Sequence, residues 1–283
     1  MRFRAPAKLN LFLQIRGRRP DGYHEIVSLM TPVGLWDDLV VEPLRRPEVI
    51  IDGGPPGLPP EQNLVWKAAS ALAVHARTVP GAHVRLVKRI PTGGGLGGGS
   101  SDAAAALQAL NELWDCRLSL EELVPLAARL GADVPFFLHG TAGVVRGVGE
   151  HFTPAPLPIG FTEHLAIIQP PFELSTSDVY QKWDTLSRAD EPEDPALEAF
   201  LSGSVPLPMR NDLEAAAFAL FPEMREIKEI LHSAGAAMVL MSGSGSCFWA
   251  AWPSETARSE GLGPLTKRLK FYIVSAVRGV PGP

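Results

Sequence analysis

Apolar and polar residues alternate through residues 3–15, with Leu9, Leu11 and Leu13 on one side and Lys8 and Asn10 on the other. That period of two predicts a strand. Arg18-Arg19-Pro20-Asp21-Gly22 then reads as a turn into a second strand over 23–31, with shorter strands over 40–42 and 48–52 and a Gly/Pro loop over 53–60. Asn63 is placed to cap a helix whose apolar face carries Leu64, Val65, Ala68, Ala69, Leu72 and Ala73. A strand over 82–90 runs into a glycine-rich stretch, and an alanine-rich helix follows to about Trp114, capped by Ser100, Ser101 or Asp102. Ser119 with Glu122 forms a capping box for another helix, and Gly131 is expected to end it in the left-handed region. Pro135 fits only the first turn of a further helix, so Asp133 falls at or next to that helix's N-cap. Residues 143–146 read as a short strand.

Beyond this point the pattern predicts strands over 165–169, 237–241 and 271–277, and helices over 212–220 and 222–233. Thr176 and Tyr180 fall on a further helix. Residues 190–195 are acidic and contain Pro, and are expected to be an exposed connection. Strands and helices mix without strict alternation, which predicts an α+β fold. A chain of 283 residues exceeds one typical core. Two domains, 1–153 and 154–283, are expected, divided within the Pro-rich stretch 151–160.

Composition removes several classes. A hydrophobic fraction of 46% with 20% charged residues describes a globular chain, and a net charge of −5 offers no general field for nucleic acid. Arg85, Lys88 and Arg89 cluster before the glycines, as a solvated strand edge or as an anion-attracting group. Cys116 and Cys247 match no metal or disulfide spacing and are expected as small apolar fillers in a reducing compartment. No secretory leader or membrane span is read, so a cytoplasmic protein is expected.

The candidate chemistry begins at Pro91-Thr-Gly-Gly-Gly-Leu-Gly-Gly-Gly-Ser-Ser101. A Gly-rich loop feeding a helix N-terminus gathers N–H groups and the positive end of the helix dipole at one spot, which suits a phosphate chain. The P-loop reading fails, because Gly99 is followed by Ser100 rather than Lys. A dinucleotide fingerprint can be traced through Gly93, Gly95 and Gly98, but the acidic candidates downstream, Glu121 and Glu122, begin a helix instead of ending a strand. A third reading, Pro-x-x-x-Gly-Leu-Gly-x-x-Ser-Ser, fits at every fixed position.

That loop resembles the ATP-binding motif of the galactokinase, homoserine, mevalonate and phosphomevalonate (GHMP) kinase superfamily. Residues 5–13 and 19–25, Ala-Pro-Ala-Lys-Leu-Asn-Leu-Phe-Leu and Arg-Pro-Asp-Gly-Tyr-His-Glu, resemble the N-terminal signature of one family within it, the 4-diphosphocytidyl-2-C-methyl-D-erythritol kinases. Leu130-Gly-Ala-Asp-Val-Pro-Phe-Phe137 resembles that family's segment with the catalytic Asp, and Met241-Ser-Gly-Ser-Gly-Ser246 the superfamily's third motif. Asp102 departs from the pattern, standing where Asn is expected. It either adds negative charge near the phosphates or acts as a helix cap.

The resemblance implies a two-domain GHMP-kinase architecture, with a ferredoxin-like α+β C-terminal domain and the active site in the cleft between domains. It implies transfer of the ATP γ-phosphoryl group to the 2-hydroxyl of 4-diphosphocytidyl-2-C-methyl-D-erythritol, in the non-mevalonate (methylerythritol phosphate) route to isoprenoids. Another GHMP small-molecule kinase, of the mevalonate or homoserine type, is the alternative. Lys8 and Asp133 would be catalytic. Taken alone, Lys8 reads more readily as a solvated strand lysine, and Asp133 reads equally as a pure helix cap. Pro91, Thr92, Gly93, Gly94, Gly95, Leu96, Gly97, Gly98, Gly99, Ser100 and Ser101 would hold ATP. Asn10 would hydrogen-bond near the reacting group, Tyr23 and His24 would take the cytosine, and Tyr180 would complete the stack or simply pack in the core. Thr176, Ser242, Gly243 and Ser244 would donate to substrate phosphates, unless the serine loop is only a strand turn. ATP and Mg²⁺ are expected, the ion held mainly by phosphate and water with Ser100 or Ser101. The expected partner is a small molecule carrying a cytidine diphosphate group, with no nucleic acid and no membrane, bound by a monomer or weak homodimer.

Overall fold

The structure, a computed structural model, describes residues 1–54, 57–77, 81–155, 157, 164–186 and 191–274. Two sheets organise them. The first contains β1 (Arg2–Arg18), β2 (His24–Pro43), β3 (Val49–Gly53), β4 (Ala82–Val87), β5 (Gly143–Gly147) and β6 (His151–Pro154), in the order β3-β4-β2-β5-β6 with β1 paired to β2. Only β3 and β4 run parallel. The second sheet holds β7 (Leu165–Gln169), β8 (Met238–Met241), β9 (Phe248–Ala251) and β10 (Lys270–Val274), ordered β10-β7-β9-β8 and antiparallel throughout. In chain order that is the ferredoxin-like arrangement, strand four beside one, one beside three, three beside two.

Helices cover the outer faces. One apolar cluster joins the first sheet to α1 (Leu64–Ala73), α2 (Gly98–Leu113), α3 (Leu120–Leu130) and α4 (Val134–His139). Another joins the second sheet to α5 (Thr176–Leu186), α7 (Leu213–Leu220), α8 (Glu223–Ser233) and α9 (Glu255–Leu262). A third lies between the sheets, where Leu9, Leu11 and Phe12 of β1 meet Ile167, Leu240 and Trp249, with Leu197 and Phe200 of α6 (Pro195–Leu201) closing one side. Trp249 Nε1 donates to the Asn10 carbonyl at 2.8 Å, so a buried polar bond fixes β1 against the second sheet.

Several expectations change in the structure. The strands expected over 23–31 and 40–42 are one strand, β2, because a bulge beside Pro6 and Ala7 absorbs the break that Pro32 and Gly34 suggest. A second bulge, between Asn10 and Phe12, reverses the alternation of β1. Leu13 therefore leaves Leu9 and Leu11 and packs with Ile15 against Trp183 and Leu213. α2 starts before the serines: Gly97, at φ 71°, is its cap, so Ser100, Ser101 and Asp102 lie inside the helix. Gly131 ends α3 with φ 170°, an extended backbone rather than a left-handed one. Strand β6 and helices α6 and α9 are additions. Residues 191–195 are not a free connection: Arg210 pairs with Glu191 at 2.6 Å and with Asp194 at 3.3 Å, and Arg146 pairs with Glu193 at 2.7 Å. The strand expected over 271–277 is described to Val274, and 275–277 lie outside the described residues.

Candidate active site

Lys8 and Asn10 stand on the same side of β1, and that side is fully buried from Ala5 to Leu13. A lysine only 3% exposed needs partners, and two are present. Its Nζ donates to Asn10 Oδ1 and lies 3.6 Å from Asp133 Oδ2. Asn10 is held in turn: its Nδ2 donates to Ser28 Oγ at 2.8 Å, and Ser28 Oγ donates to the Phe12 carbonyl at 2.7 Å. Asp133 is the residue before α4, yet its side chain makes no capping hydrogen bond. The carboxylate is left to face Lys8, so the reading of Asp133 as a pure cap does not hold.

The glycine loop arrives above this pair. Gly93, Gly95 and Gly97 all have positive φ, and a side chain at Gly97 would meet Phe137 at 2.8 Å and Lys8 Cγ at 3.1 Å. Four successive carbonyls of the loop are tied back. Gly93 accepts from Ser246 N at 3.3 Å, Gly94 from Cys247 N at 3.2 Å, Gly95 from Ser242 Oγ at 3.1 Å and Leu96 from Lys8 N at 2.9 Å. With the carbonyls engaged behind it, the loop can turn amides and the start of α2 toward the open side. A Cβ at Gly95 would collide with the Ser242 carbonyl. Gly95→Ala is therefore expected to raise the KM for ATP at least tenfold with a smaller change for the acceptor, as steady-state kinetics varying each substrate would show.

These elements line one cleft of about 810 Å³. Lys8, Asn10, Tyr23, His24, Asp133, Thr176, Tyr180, Gly243, Ser244 and the loop from Pro91 through Ser100 all reach it. Two residues expected at the ligand do not. Ser101 is buried within α2, and Ser242 sits behind the wall, donating to Gly95 and accepting from Asn10 N at 3.3 Å. Ser244 Oγ and Thr176 Oγ1 are 2.9 Å apart, which joins the serine loop to α5. Tyr23 is 65% exposed at the rim, whereas burial, with Asp133 nearby, pushes the Tyr180 phenol above its ordinary range.

Of the basic cluster before the loop, Arg85 pairs with the exposed Glu42 and the exposed Arg89 reaches down to the buried Asp38, and only Lys88 lines the cleft. Lys88 bridges the carboxylates of Asp37 and Asp102, the latter at 2.6 Å. Burial works against its charge, but the two carboxylates outweigh it and its pKa is raised. Two carboxylates cannot both be balanced by one ammonium. Burial first, then the nearby Asp37, raises the Asp102 carboxyl to about 7 against the pull of Lys88. Asp102 is thus neither a cap nor a free charge facing phosphates.

The consequence is a pH dependence of stability. The folded state holds the Asp102 proton at pH values where an unfolded Asp has lost it, so stability falls as pH rises from about 4 to about 7. Each pH unit in that window is worth up to about 1.4 kcal/mol per proton. Asp102→Asn is expected to flatten this slope and to be more stable than the parent at pH 8, measured as urea midpoints between pH 5 and 8.

The donor set suits a metal carried on phosphate rather than caged by protein. Among the described residues no three His, Cys, Asp or Glu side chains gather to hold an ion, while Ser100 faces the cleft and the Ser101 hydroxyl is buried without a partner. No helix among the described residues is long and apolar enough to cross a membrane.

The GHMP kinase N-terminal domain model matches residues 63–141, spanning the glycine loop and Asp133, and the GHMP kinase C-terminal model matches 196–268. The cleft and its two sheets are therefore those of a GHMP kinase. Relatives named 4-diphosphocytidyl-2-C-methyl-D-erythritol kinase include one from Neisseria gonorrhoeae (strain NCCP11945), 39% identical over 90% of this chain and 87% of the relative. Another, from Symbiobacterium thermophilum, is 39% identical over 94% of this chain and 97% of its own. A crystal structure of a 4-(cytidine 5'-diphospho)-2C-methyl-D-erythritol kinase, 39% identical, covers 99% of this chain and 100% of that one with a TM-score of 0.82. The chain belongs to the 4-diphosphocytidyl-2-C-methyl-D-erythritol kinase family. A homoserine kinase from Cytophaga hutchinsonii, 21% identical over 99% of this chain and 96% of its own with a TM-score of 0.74, shares the fold, and the homoserine-type alternative is not favoured.

Proposed function

We propose that the protein transfers the γ-phosphoryl group of ATP to the 2-hydroxyl of 4-diphosphocytidyl-2-C-methyl-D-erythritol, giving the 2-phosphate and ADP, in cytoplasmic isoprenoid biosynthesis. The observation that carries this is the approach of Lys8 Nζ to Asp133 Oδ2, 3.6 Å, in the cleft that the glycine loop also lines. Phosphoryl transfer needs donor and acceptor aligned, charge on the moving group balanced and the hydroxyl proton accepted. Asp133 accepts that proton as the acceptor oxygen bonds to the γ-phosphorus and the bond to the β-phosphate oxygen breaks. Lys8, anchored by Asn10, balances charge on the transferring group and is too confined to wander.

The amides of the glycine loop and the start of α2 hold the triphosphate. Ser100, with phosphate oxygens, would hold Mg²⁺, which when bound neutralises part of the phosphate charge. Tyr23 and Tyr180 stack on the cytosine and the backbone of His24 reads its edge, which is the feature a mevalonate or homoserine kinase does not need. Gly243, Ser244 and Thr176 contact the substrate's phosphates. An acceptor panel with ATP tests the reading. Turnover should be confined to the cytidyl acceptor, and turnover of mevalonate or homoserine at a comparable kcat/KM would defeat it.

A further inference from the structure

Helix α5 directs Tyr180, Trp183 and Asp184, at spacings of three and four, toward one residue of the other sheet. That residue is His24. Its ring lies 4.8 Å from the Tyr180 ring and meets Trp183 edge-on at 5.4 Å, and its Nε2 is 2.7 Å from Asp184 Oδ1. The other oxygen of Asp184 pairs with Arg18 Nη1 at 3.2 Å. Arg18 Nε donates to the Gly22 carbonyl at 3.4 Å, within the turn that presents Tyr23. One carboxylate thus reaches His24 directly and the Tyr23 turn through Arg18, and it lines the cleft alongside them.

The two arms differ in weight. Arg18 is largely exposed, so its ion pair is worth little by itself. The His24 side chain is only 9% exposed and boxed by two aromatic rings, so its bond to Asp184 fixes the ring's orientation. We propose that Asp184 is a positioning residue for the acceptor pocket, holding His24 and the Tyr23 turn in the arrangement that binds the cytidine end of the acceptor. This rests on the cytidyl-kinase reading above. Asp184 takes no part in binding ATP or in the transfer step.

The test compares the full-length protein with Asp184→Ala, Asp184→Asn, His24→Ala and the Asp184→Ala/His24→Ala double variant. Loss of a hydrogen bond to a charged group predicts a KM for the cytidyl acceptor about tenfold higher in Asp184→Ala, with kcat and the KM for ATP within about twofold. Asp184→Asn keeps an acceptor for Nε2–H and should fall between the two. On the His24→Ala background, Asp184→Ala should add less than about twofold, because Asp184 acts chiefly through that ring and the exposed Arg18 arm contributes little. Cytidine 5'-diphosphate binding, followed by calorimetry, should weaken in parallel. Equal rises in both KM values, a fall in kcat alone, full additivity in the double variant, or unchanged cytidine diphosphate affinity would each overturn the role of Asp184. Absence of turnover by the parent protein would instead overturn the kinase reading, with the calorimetry still deciding the role of Asp184.

Discussion

Asp133→Ala is expected to lower kcat by about 10²–10⁴-fold while ATP still binds, the loss that follows removal of a positioned general base. The geometry makes this a clean substitution. Asp133 makes no capping hydrogen bond, so α4 loses no cap with the carboxylate. Its partner is Lys8 at 3.6 Å, and Lys8 remains anchored by Asn10 in the variant. The loop proposed to hold ATP is supported by the Ser242 hydroxyl and by the backbone N–H groups of Ser246, Cys247 and Lys8, none of which involves Asp133. Single-turnover kinetics beside nucleotide titration separates the two effects. A residual rate within tenfold of the parent would remove the base role.

Lys8→Ala should reduce kcat by about 10²–10³-fold, comparable to loss of one preorganised charge-stabilising donor. Its stem lies beside Gly97 and its ammonium beside the Gly243 backbone, so the charge sits where three elements meet: β1, the glycine loop and the serine loop. The backbone N–H of residue 8 still donates to Leu96 in the variant, so the loop keeps that support. Lys8→Met fills the space without the charge and should show the same kcat defect. A change confined to KM in both variants would mean that Lys8 only attracts anions. On the proposed roles both defects fall on the transfer step, and the double variant should be far from additive, as expected for two groups acting on one reacting centre.

Much of this site was legible in the chain itself. The glycine loop, Lys8 and Asp133 come from three separated segments: bare backbone before a helix is a local signal by itself, whereas the lone ammonium in an apolar strand and the acid before a Pro-started helix gain their catalytic reading from the resemblance. The fold class followed from the same periodicities. What escaped depended on contacts between segments. The bulge that moves Leu13 to the cleft side of β1 is a property of its pairing with β2 and leaves no mark on β1 alone. The inward turn of Lys88 depends on Asp37, fifty-one residues earlier, and on Asp102. Asp184 reads locally as one more polar residue on an amphipathic helix, and its meeting with His24 spans 160 residues.

Other omissions did have local signals. Asp194 before Pro195 is a cap followed by proline at the first helical position, and its side chain accepts from Ala196 N at 2.9 Å to open α6. Ser254 opens α9 in the same way, accepting from Ala257 N at 3.1 Å. The resemblance assigns Ser242, Gly243 and Ser244 alike to the substrate. The whole loop is buried, and its contacts divide it, with the Ser242 hydroxyl supporting the glycine loop and Gly243 and Ser244 lining the cleft.

The transfer itself is tested most directly by phosphorus NMR of the products after incubation with ATP, Mg²⁺ and the cytidyl acceptor. The carbon bearing the 2-hydroxyl carries the methyl branch and no hydrogen. The account therefore predicts ADP and a new phosphomonoester signal without P–O–C–H splitting, formed by the parent protein and lost in Asp133→Ala. A split ester signal, or ADP with inorganic phosphate and no ester, would contradict it.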